Sequence, residues 1–395
     1  MPPLHWIAIQ GYRDARELEF EPGEILALVG EASSGKSTIL TAIWTLLEAA
    51  APPPTIDDVP RRASGRIHLE AELEGGQTIF LDAHPPDTLN LNRAGAPPVL
   101  FMPANLRSGA IVAQATGTGG DVAELFEPGI ANPHWTAPDG GLQLVRGMER
   151  LLASHLRGFV LLIEEPELYL TPHTQRHLFR VLRALSQNGN QILYSTHAAV
   201  FLSVDRIEDL ALVRSHHKTG TTLFQPEPLP EAEAFRVLSE FDSDRAELFL
   251  ARAALLVEGR TEKLTFPFVF EALGIEPDKE GILVFECGGK GNMPLFARMC
   301  NACDIPYVVV HDRDAPPGQR PVESERVVNK QIRDVAGKGR TVVLAPDFEG
   351  VSGVSARGRT RKPRKAYRRY NANGEVPDPL RTAVEKVVRA ARRGY

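Results

Sequence analysis

The sequence lacks most of the features that would assign it to a class at once. It has only 3 cysteines, Cys287, Cys300 and Cys303, too few for a disulfide framework, and a reducing compartment is the simpler expectation. No run approaches the roughly 18 apolar residues that a spanning helix needs. The opening stretch MPPLHWIAIQGYRDARELEF also lacks the basic-then-apolar plan of a secretory signal. The expectation is a cytoplasmic protein with no membrane partner. Charge of one sign is lacking too: the formal net charge is -5 and the pI about 6.2. The molecule as a whole therefore has no global pull on nucleic acid, and any such contact must come from a local patch. There is no tandem repeat and no sustained coiled-coil heptad.

What is present is a globular composition, 43% hydrophobic and 24% charged, on a chain of 395 residues. That length is enough for two ordinary domains or three small ones. Short alternating strands lead to the buried run Ile25 to Val29, and a periodic helix follows a Gly/Ser turn. Residues 51 to about 130 are turn-rich with strand-like pieces, a β-containing lobe. Helices then alternate with the buried strands FVLLIEEP and NQILYST, which predicts an α/β domain over residues 1–205 with a mostly parallel sheet. Residues 206–250 read as a connector or small association region. A second α/β unit, 251–395, starts at AALLVEG and finishes in the basic tail RGRTRKPRKAYRR.

GEASSGKST fits the phosphate-loop pattern G-x-x-x-x-G-K-[ST] between a buried strand and a helix. Amides at a helix start can cradle phosphates, Lys36 can reach the outer ones, and Ser37 can help hold magnesium. Gly30, Ser33, Ser34, Gly35, Lys36, Ser37 and Thr38 are thus the candidate nucleotide-binding residues. In FVLLIEE, Glu164 would support the magnesium shell and Glu165 would polarise the attacking water. His197, just beyond the next strand, is a candidate sensor of the terminal phosphate or simply a satisfied loop histidine.

LLVEGRTEKL brings Glu258 to a strand end and Glu262 into the first turn of a helix. The two are either surface carboxylates at a helix start or one edge of a site for a hard divalent ion. VVVHDRD ends another buried strand in Asp312-x-Asp314. Clustered like charges are costly without a cation, so the two units together point to a metal site more strongly than either does alone. Cys300-x-x-Cys303, with Cys287 and His311, has the element types of a zinc site. The outer spacings are loose, however, and buried helix and loop cysteines are the better reading.

GEASSGKST, PDGGLQLVRGMERLL, LLIEEPELYLTP and YSTH resemble the cassette ATPases of the chromosome-maintenance and recombination-repair type. LLVEGRTEK, GGKGN and VVVHDRD resemble a topoisomerase-primase (Toprim) domain as carried by the overcoming-lysogenisation-defect (OLD) nucleases. Both motif sets occur in the order of that family, a cassette-type ATPase fused to a Toprim nuclease. The resemblance implies a fold with an ABC/SMC-like P-loop ATPase and a C-terminal Toprim α/β domain around a central parallel sheet. It also implies ATP, Mg2+ or Mn2+ at two metal positions, and DNA as substrate for endonucleolytic cleavage or nicking, in phage defence or DNA processing.

By the same resemblance, Asp139, Gly140 and Gly141 match a shortened signature motif that presses on a partner subunit's nucleotide, with Pro138 where a serine often stands. That implies a homodimer through the ATPase heads, the Toprim domains or both. Glu258, Glu262, Asp312, Asp314 and Glu349 are the implied metal set, with Glu258 also placed to assist proton transfer. Lys362, or else Lys365, is the lysine facing the developing phosphorane. Lys290 is either a DNA-backbone contact or a solvated turn lysine. The chain is compact for this family, with no room for a large helical dimerisation insertion.

Arg357, Arg359, Arg361, Lys362, Arg364, Lys365, Arg368 and Arg369 form a basic run that can bind phosphates or merely solubilise a surface. Tyr367 and Tyr370 are base-stacking candidates or packing anchors. The alternative function is a DNA-binding repair ATPase or sensor whose Toprim domain is regulatory or depends on a partner, such as another protein of a defence system.

Overall fold

The computed structural model describes residues 2–49, 51–60, 65–104, 137–202, 206–216, 219–230, 245–316, 318–354, 362–370 and 375–393. They fall into two compact units, Met1–Pro228 and Leu229–Tyr395.

The first unit begins with β1 (Leu4–Tyr12), β2 (Ala15–Phe20), β3 (Ile25–Val29) and α1 (Lys36–Leu47). Then come β4 (Ile67–Leu73), β5 (Thr78–His84), β6 (Thr88–Asn92), β7 (Val99–Met102), α2 (Ala137–Ala153), β8 (Val160–Glu164), α3 (Pro172–Gln187) and β9 (Gln191–Thr196). An antiparallel sheet runs β2-β1-β4-β5-β6. Its strands alternate: Ile67, Leu69, Ala71 and Leu73 of β4 are buried, while the residues between them are not, as expected of a sheet with one core face. β3 is buried along its whole length, as befits a central strand covered on both faces. Side chains from both sheets and from α1 form one core.

The second sheet has the order β11-β10-β3-β9-β8-β7, where β10 is Leu210–His216 and β11 is Gly220–Phe224. β10 pairs in parallel with β3, Leu212 opposite Val29, and β11 closes the edge antiparallel. These two strands come from the stretch 206–250 that the sequence reads as a connector. The physical reason is that the buried β3 has backbone groups on both sides that must be paired; β9 pairs one side and β10 the other. Residues 231–244 lie outside the described residues.

The second unit contains β12 (Ala253–Val257), α4 (Arg260–Ala272), β13 (Ile282–Glu286), α5 (Met293–Ala302), β14 (Tyr307–Asp312), α6 (Glu323–Ala336) and β15 (Thr341–Leu344). α7 (Phe348–Ser352), α8 (Lys362–Tyr370) and α9 (Asp378–Arg393) follow. The sheet is parallel throughout, in the order β13-β12-β14-β15. The chain leaves β12 for one side and later returns to pair on its other side. The C-terminal ends of β12 and β14 therefore flank a topological switch point, where open α/β sheets hold their ligands. α9 buries Leu380, Ala383, Val384, Val387, Val388 and Ala391, a helical stripe, in the core that also contains β12 and β14. The basic tail RGRTRKPRKAYRR ends before this helix, and the sequence reading assigns no element to the helical segment.

Both units are α/β as expected. No helix among the described residues is long and apolar enough to cross a membrane.

Candidate nucleotide and metal sites

The phosphate loop joins β3 to α1 through left-handed turns at Ser33 and Gly35, φ 63 and 108. A Cβ on Gly35 would meet Thr221 Oγ1 at 2.2 Å, and one on Gly30 would meet the Val213 carbonyl at 2.1 Å. β10 and β11 thus press on the loop where only glycine fits. Lys36 is buried, and its Nζ donates to the carbonyls of Gly30 (2.9 Å) and Glu31 (2.7 Å). Burial lowers its pKa to about 8, against the opposing pull of Glu165, Glu167 and Glu31. Ser34 is buried in the same loop, while Ser37 and Thr38 open α1.

Glu164 ends β8 and accepts from the Ala104 amide at 2.9 Å. Glu165 follows at φ 44, and its carboxylate lies 3.7 Å from His197 Nε2. Burial, then the positive charge of Lys36, lowers the His197 pKa. Glu167, which the sequence reading did not single out, holds this corner together. Its Oε1 accepts from Thr196 Oγ1 at 2.9 Å and from the His197 amide at 2.7 Å, and burial raises its pKa. Its signal was available in EEPE: a third carboxylate close behind a strand-end pair. Lys36, Glu165, Glu167 and His197 form one electrostatic neighbourhood, a cationic phosphate-binding loop faced by a carboxylate and an imidazole. Asp139, Gly140 and Gly141 fall in α2, and their side chains lie outside the described residues.

In the second unit, Glu258 stands just past β12 and Asp312 ends β14, and Glu258 Oε1 accepts from the Asp312 amide at 2.7 Å. Glu262, in the first turn of α4, is buried. Burial, then the charges of Glu258 and Glu349, push its pKa up to about 7. Burial, then Glu258, Glu262 and Asp314, push Asp312 up to about 8. Burial raises Glu258 as well. Glu349 lies in α7 behind Asp347, whose side chain caps that helix by accepting from the Gly350 amide at 2.7 Å.

All five carboxylates of the sequence-derived set fall in this second unit, and Glu258, Glu262, Asp312, Asp314 and Glu349 act on one another electrostatically. Hard oxygen donors whose crowded negative charge helps to raise Glu258, Glu262 and Asp312 suit a divalent cation. Among the described residues, no group of three or more His, Cys, Asp or Glu side chains is arranged so that it could hold a metal ion.

Lys290 departs from both expectations for it. Its ammonium donates to the Asp312 carbonyl at 2.7 Å, to Asp314 Oδ2, and to Glu325 Oε2 at 3.1 Å. Glu325, on α6, was not a sequence candidate. His311 Nδ1 donates to the Asp312 carbonyl at 2.9 Å, and burial takes its pKa down to about 4, so it is neutral. Cys287, Cys300 and Cys303 form no disulfide and are buried, with burial pushing the Cys287 and Cys300 thiols well up.

Lys362 opens α8, and its side chain, like Arg357, Arg359, Arg361 and Arg364, lies outside the described residues. Tyr370 is buried and its hydroxyl donates to the Ser352 carbonyl at 3.0 Å, so it is a packing anchor. Tyr367 is exposed, edge-on to Phe268.

The family model described as overcoming lysogenization defect protein-like, TOPRIM domain, matches residues 249–314. An AAA-domain model, whose description also names the AbiEii toxin of type IV toxin–antitoxin systems, matches residues 137–203. Among curated proteins, the chain is 33% identical to the OLD nuclease of Thermus scotoductus over 58% of this chain and 48% of that protein. It is 29% identical to the Old nuclease of Escherichia phage P2 over 39% of this chain and 28% of that protein. It is also 30% identical to the arabinose import ATP-binding protein AraG 2 of Burkholderia cenocepacia over 47% of this chain and 35% of that protein. The chain thus spans half or less of the length of each of these relatives. It is similar to the OLD nucleases, with a segment that matches an AAA-domain model preceding one that matches an OLD-like Toprim domain.

Proposed function

We propose that the chain binds and hydrolyses ATP and is a divalent-metal-dependent DNA endonuclease or nickase. The observation that carries this reading is the carboxylate set at the switch point of the sheet in the second unit, where Glu258 is bonded to the Asp312 amide, Glu262 is raised by burial and by Glu258 and Glu349, and Asp312 is raised by burial and by Glu258, Glu262 and Asp314. Mg2+ or Mn2+ at two positions would supply Lewis acidity and a water of lowered pKa. Glu258, Glu262, Asp312, Asp314 and Glu349 would hold the ions, Glu258 would assist proton transfer, and Lys362 would offset charge on the scissile phosphate. In the first unit, Lys36 and the loop amides would bind the ATP phosphates, and Ser37 and Glu164 would hold Mg2+. Glu165 would deprotonate the attacking water, with His197 facing the terminal phosphate.

The assembly we infer is a homodimer, with Asp139, Gly140 and Gly141 pressing on the partner's nucleotide, and a setting in DNA processing or phage defence, with or without a protein partner. The test is incubation of the full chain with supercoiled and linear DNA under Mg2+ or Mn2+, without nucleotide, with ATP and with a non-hydrolysable analogue. Nicked or linear product that disappears in Glu258→Ala supports the nuclease. Product unchanged by that substitution overturns it. Loss of ATP turnover in Lys36→Ala would locate that activity in the first unit. The seat of Lys290 on Asp314 favours one second reading, a DNA-binding repair ATPase or sensor whose Toprim unit is regulatory. DNA-stimulated ATP turnover with no cleavage under any divalent metal would select it.

A further inference from the structure

Lys290 lies on a short turn between β13 and α5 that is fixed from both sides. The Gly289 amide donates to the Glu258 carbonyl at 2.8 Å, and a Cβ on Gly288 would meet Arg245 Nη2 at 2.8 Å. The side chain is only 10% exposed. An ammonium has three N–H donors, and each has an acceptor here: the Asp312 carbonyl, Asp314 Oδ2 and Glu325 Oε2. The acceptors come from the end of β14, the loop beyond it and the first turn of α6. The backbone of Asp314 is fixed, at φ 57 with its amide donating to the Pro346 carbonyl at 3.0 Å, while the side chain stays partly exposed.

An oxygen set of this kind, two carboxylates and a carbonyl converging on one positive charge, is also what a hard divalent cation takes. We propose that Lys290 is a tethered cation that competes with one divalent ion for Asp314 and Glu325, and that Glu325 is a further ligand of that ion. The proposal rests on the metal-dependent reading above. Occupancy of this position by a metal then requires the ammonium to withdraw. The turn that carries it is bonded to the Glu258 strand end, so its position and that of the other carboxylates are linked. Glu325 thereby gains a role that its place at a helix start, where acids are common for electrostatic reasons alone, does not suggest.

The test is Mn2+ binding to the full chain, followed by calorimetry and by the spin resonance of free Mn2+, for wild type, Lys290→Met, Lys290→Gln, Lys290→Arg and Lys290→Met/Glu325→Gln. Melting in EDTA shows which variants are folded, and Lys290→Gln keeps an N–H donor if the Met variant does not fold. The expected result is that Lys290→Met and Lys290→Gln bind the weaker Mn2+ on the order of tenfold more tightly, as removal of one competing charge at close range implies. Lys290→Arg stays near wild type, and Glu325→Gln cancels the gain. Unchanged or weaker binding in the neutral variants overturns the competition, because the lysine would then only organise the carboxylates. A gain that survives Glu325→Gln overturns the assignment of Glu325. Absence of Mn2+ binding in every folded protein, wild type included, overturns the metal-dependent reading itself, a different outcome from either of these.

Discussion

Glu258 Oε1 accepts the backbone N–H of Asp312 at 2.7 Å, tying together the C-terminal ends of two neighbouring parallel strands. The carboxylate therefore has two separable jobs, as an acceptor for a main-chain donor and as a negative charge. Glu258→Gln keeps the first and removes the second, whereas Glu258→Ala removes both. On the proposed reading, both variants lose DNA cleavage by about 10²-fold or more. Only the alanine variant also loses stability, by roughly 1–3 kcal/mol, for the stranded amide. Parallel cleavage assays and denaturant melts separate the two jobs, and equal stability losses would show that the hydrogen bond is not what distinguishes them.

The raised acids make the chain's stability in EDTA fall with pH. Asp312 and Glu262 have folded pKa values of about 8 and about 7, above the roughly 4 of an unfolded carboxyl. An acid of this kind holds its proton longer when folded. Its contribution is complete below about pH 4 and is lost as pH rises through 7 and 8. Melts in EDTA should therefore drop between pH 5 and 9, with a slope up to about 1.4 kcal/mol per pH unit for each such group. Asp312→Asn should flatten the drop. Added Mg2+ should recover more stability at pH 8.5 than at pH 6, because fewer protons then have to be displaced. A profile that Asp312→Asn leaves unchanged would place the pH dependence elsewhere.

Glu165 and Glu167 should differ in kind. Glu165 lies 3.7 Å from the His197 ring, so on the proposed reading Glu165→Gln leaves ATP binding intact and slows hydrolysis by about 10²- to 10⁴-fold. Glu167 acts through backbone and hydroxyl hydrogen bonds to the Thr196–His197 corner. Glu167→Gln, which keeps an oxygen, should retain most turnover. Glu167→Ala should lose up to about 10²-fold in kcat through misplacement, with ATP affinity little changed. Steady-state turnover beside nucleotide-binding measurements distinguishes these patterns; a Gln variant as slow as the Ala variant would mean that the Glu167 charge itself is needed.

The parts legible in the sequence were those whose chemistry is local. The phosphate loop, Glu164, Glu165, Glu258 and Asp312 all sit at the ends of buried strands, where an apolar run stopping at a charge is visible without tertiary information. Lys290 and Glu325 lie 35 residues apart and meet only through packing of the turn after β13 against α6; on its own, Glu325 looks like any acid in a first helical turn. Strands can be read in the stretch 206–250, but that β10 joins the sheet of the first unit cannot, for the same reason: its partner β3 precedes it by some 180 residues, and pairing at that separation leaves no local signature. α9 is a different case. The apolar residues at 380, 383, 384, 387, 388 and 391 were open to a 3.6-residue reading, but the basic run before them dominated the segment.

That basic run supports a prediction about DNA affinity that is separate from cleavage. α8 is anchored by the buried Ala366 and Tyr370, the latter donating to the Ser352 carbonyl at 3.0 Å, while Arg368 and Arg369 stay exposed. If these guanidinium groups contact phosphates, Arg368→Ala and Arg369→Ala should each weaken binding about equally for unrelated DNA sequences. Each should also reduce the slope of log K against log salt by about 0.9, the counterion released per contact. Tyr370→Phe removes the anchoring hydrogen bond without touching charge. It should cost about 1 kcal/mol of stability and leave the salt slope unchanged. Binding isotherms at several salt concentrations, in EDTA to prevent cleavage, read the slope directly. A slope unaffected by either arginine would make α8 a solubilising surface, and the DNA path would have to be sought on another face of the Toprim unit.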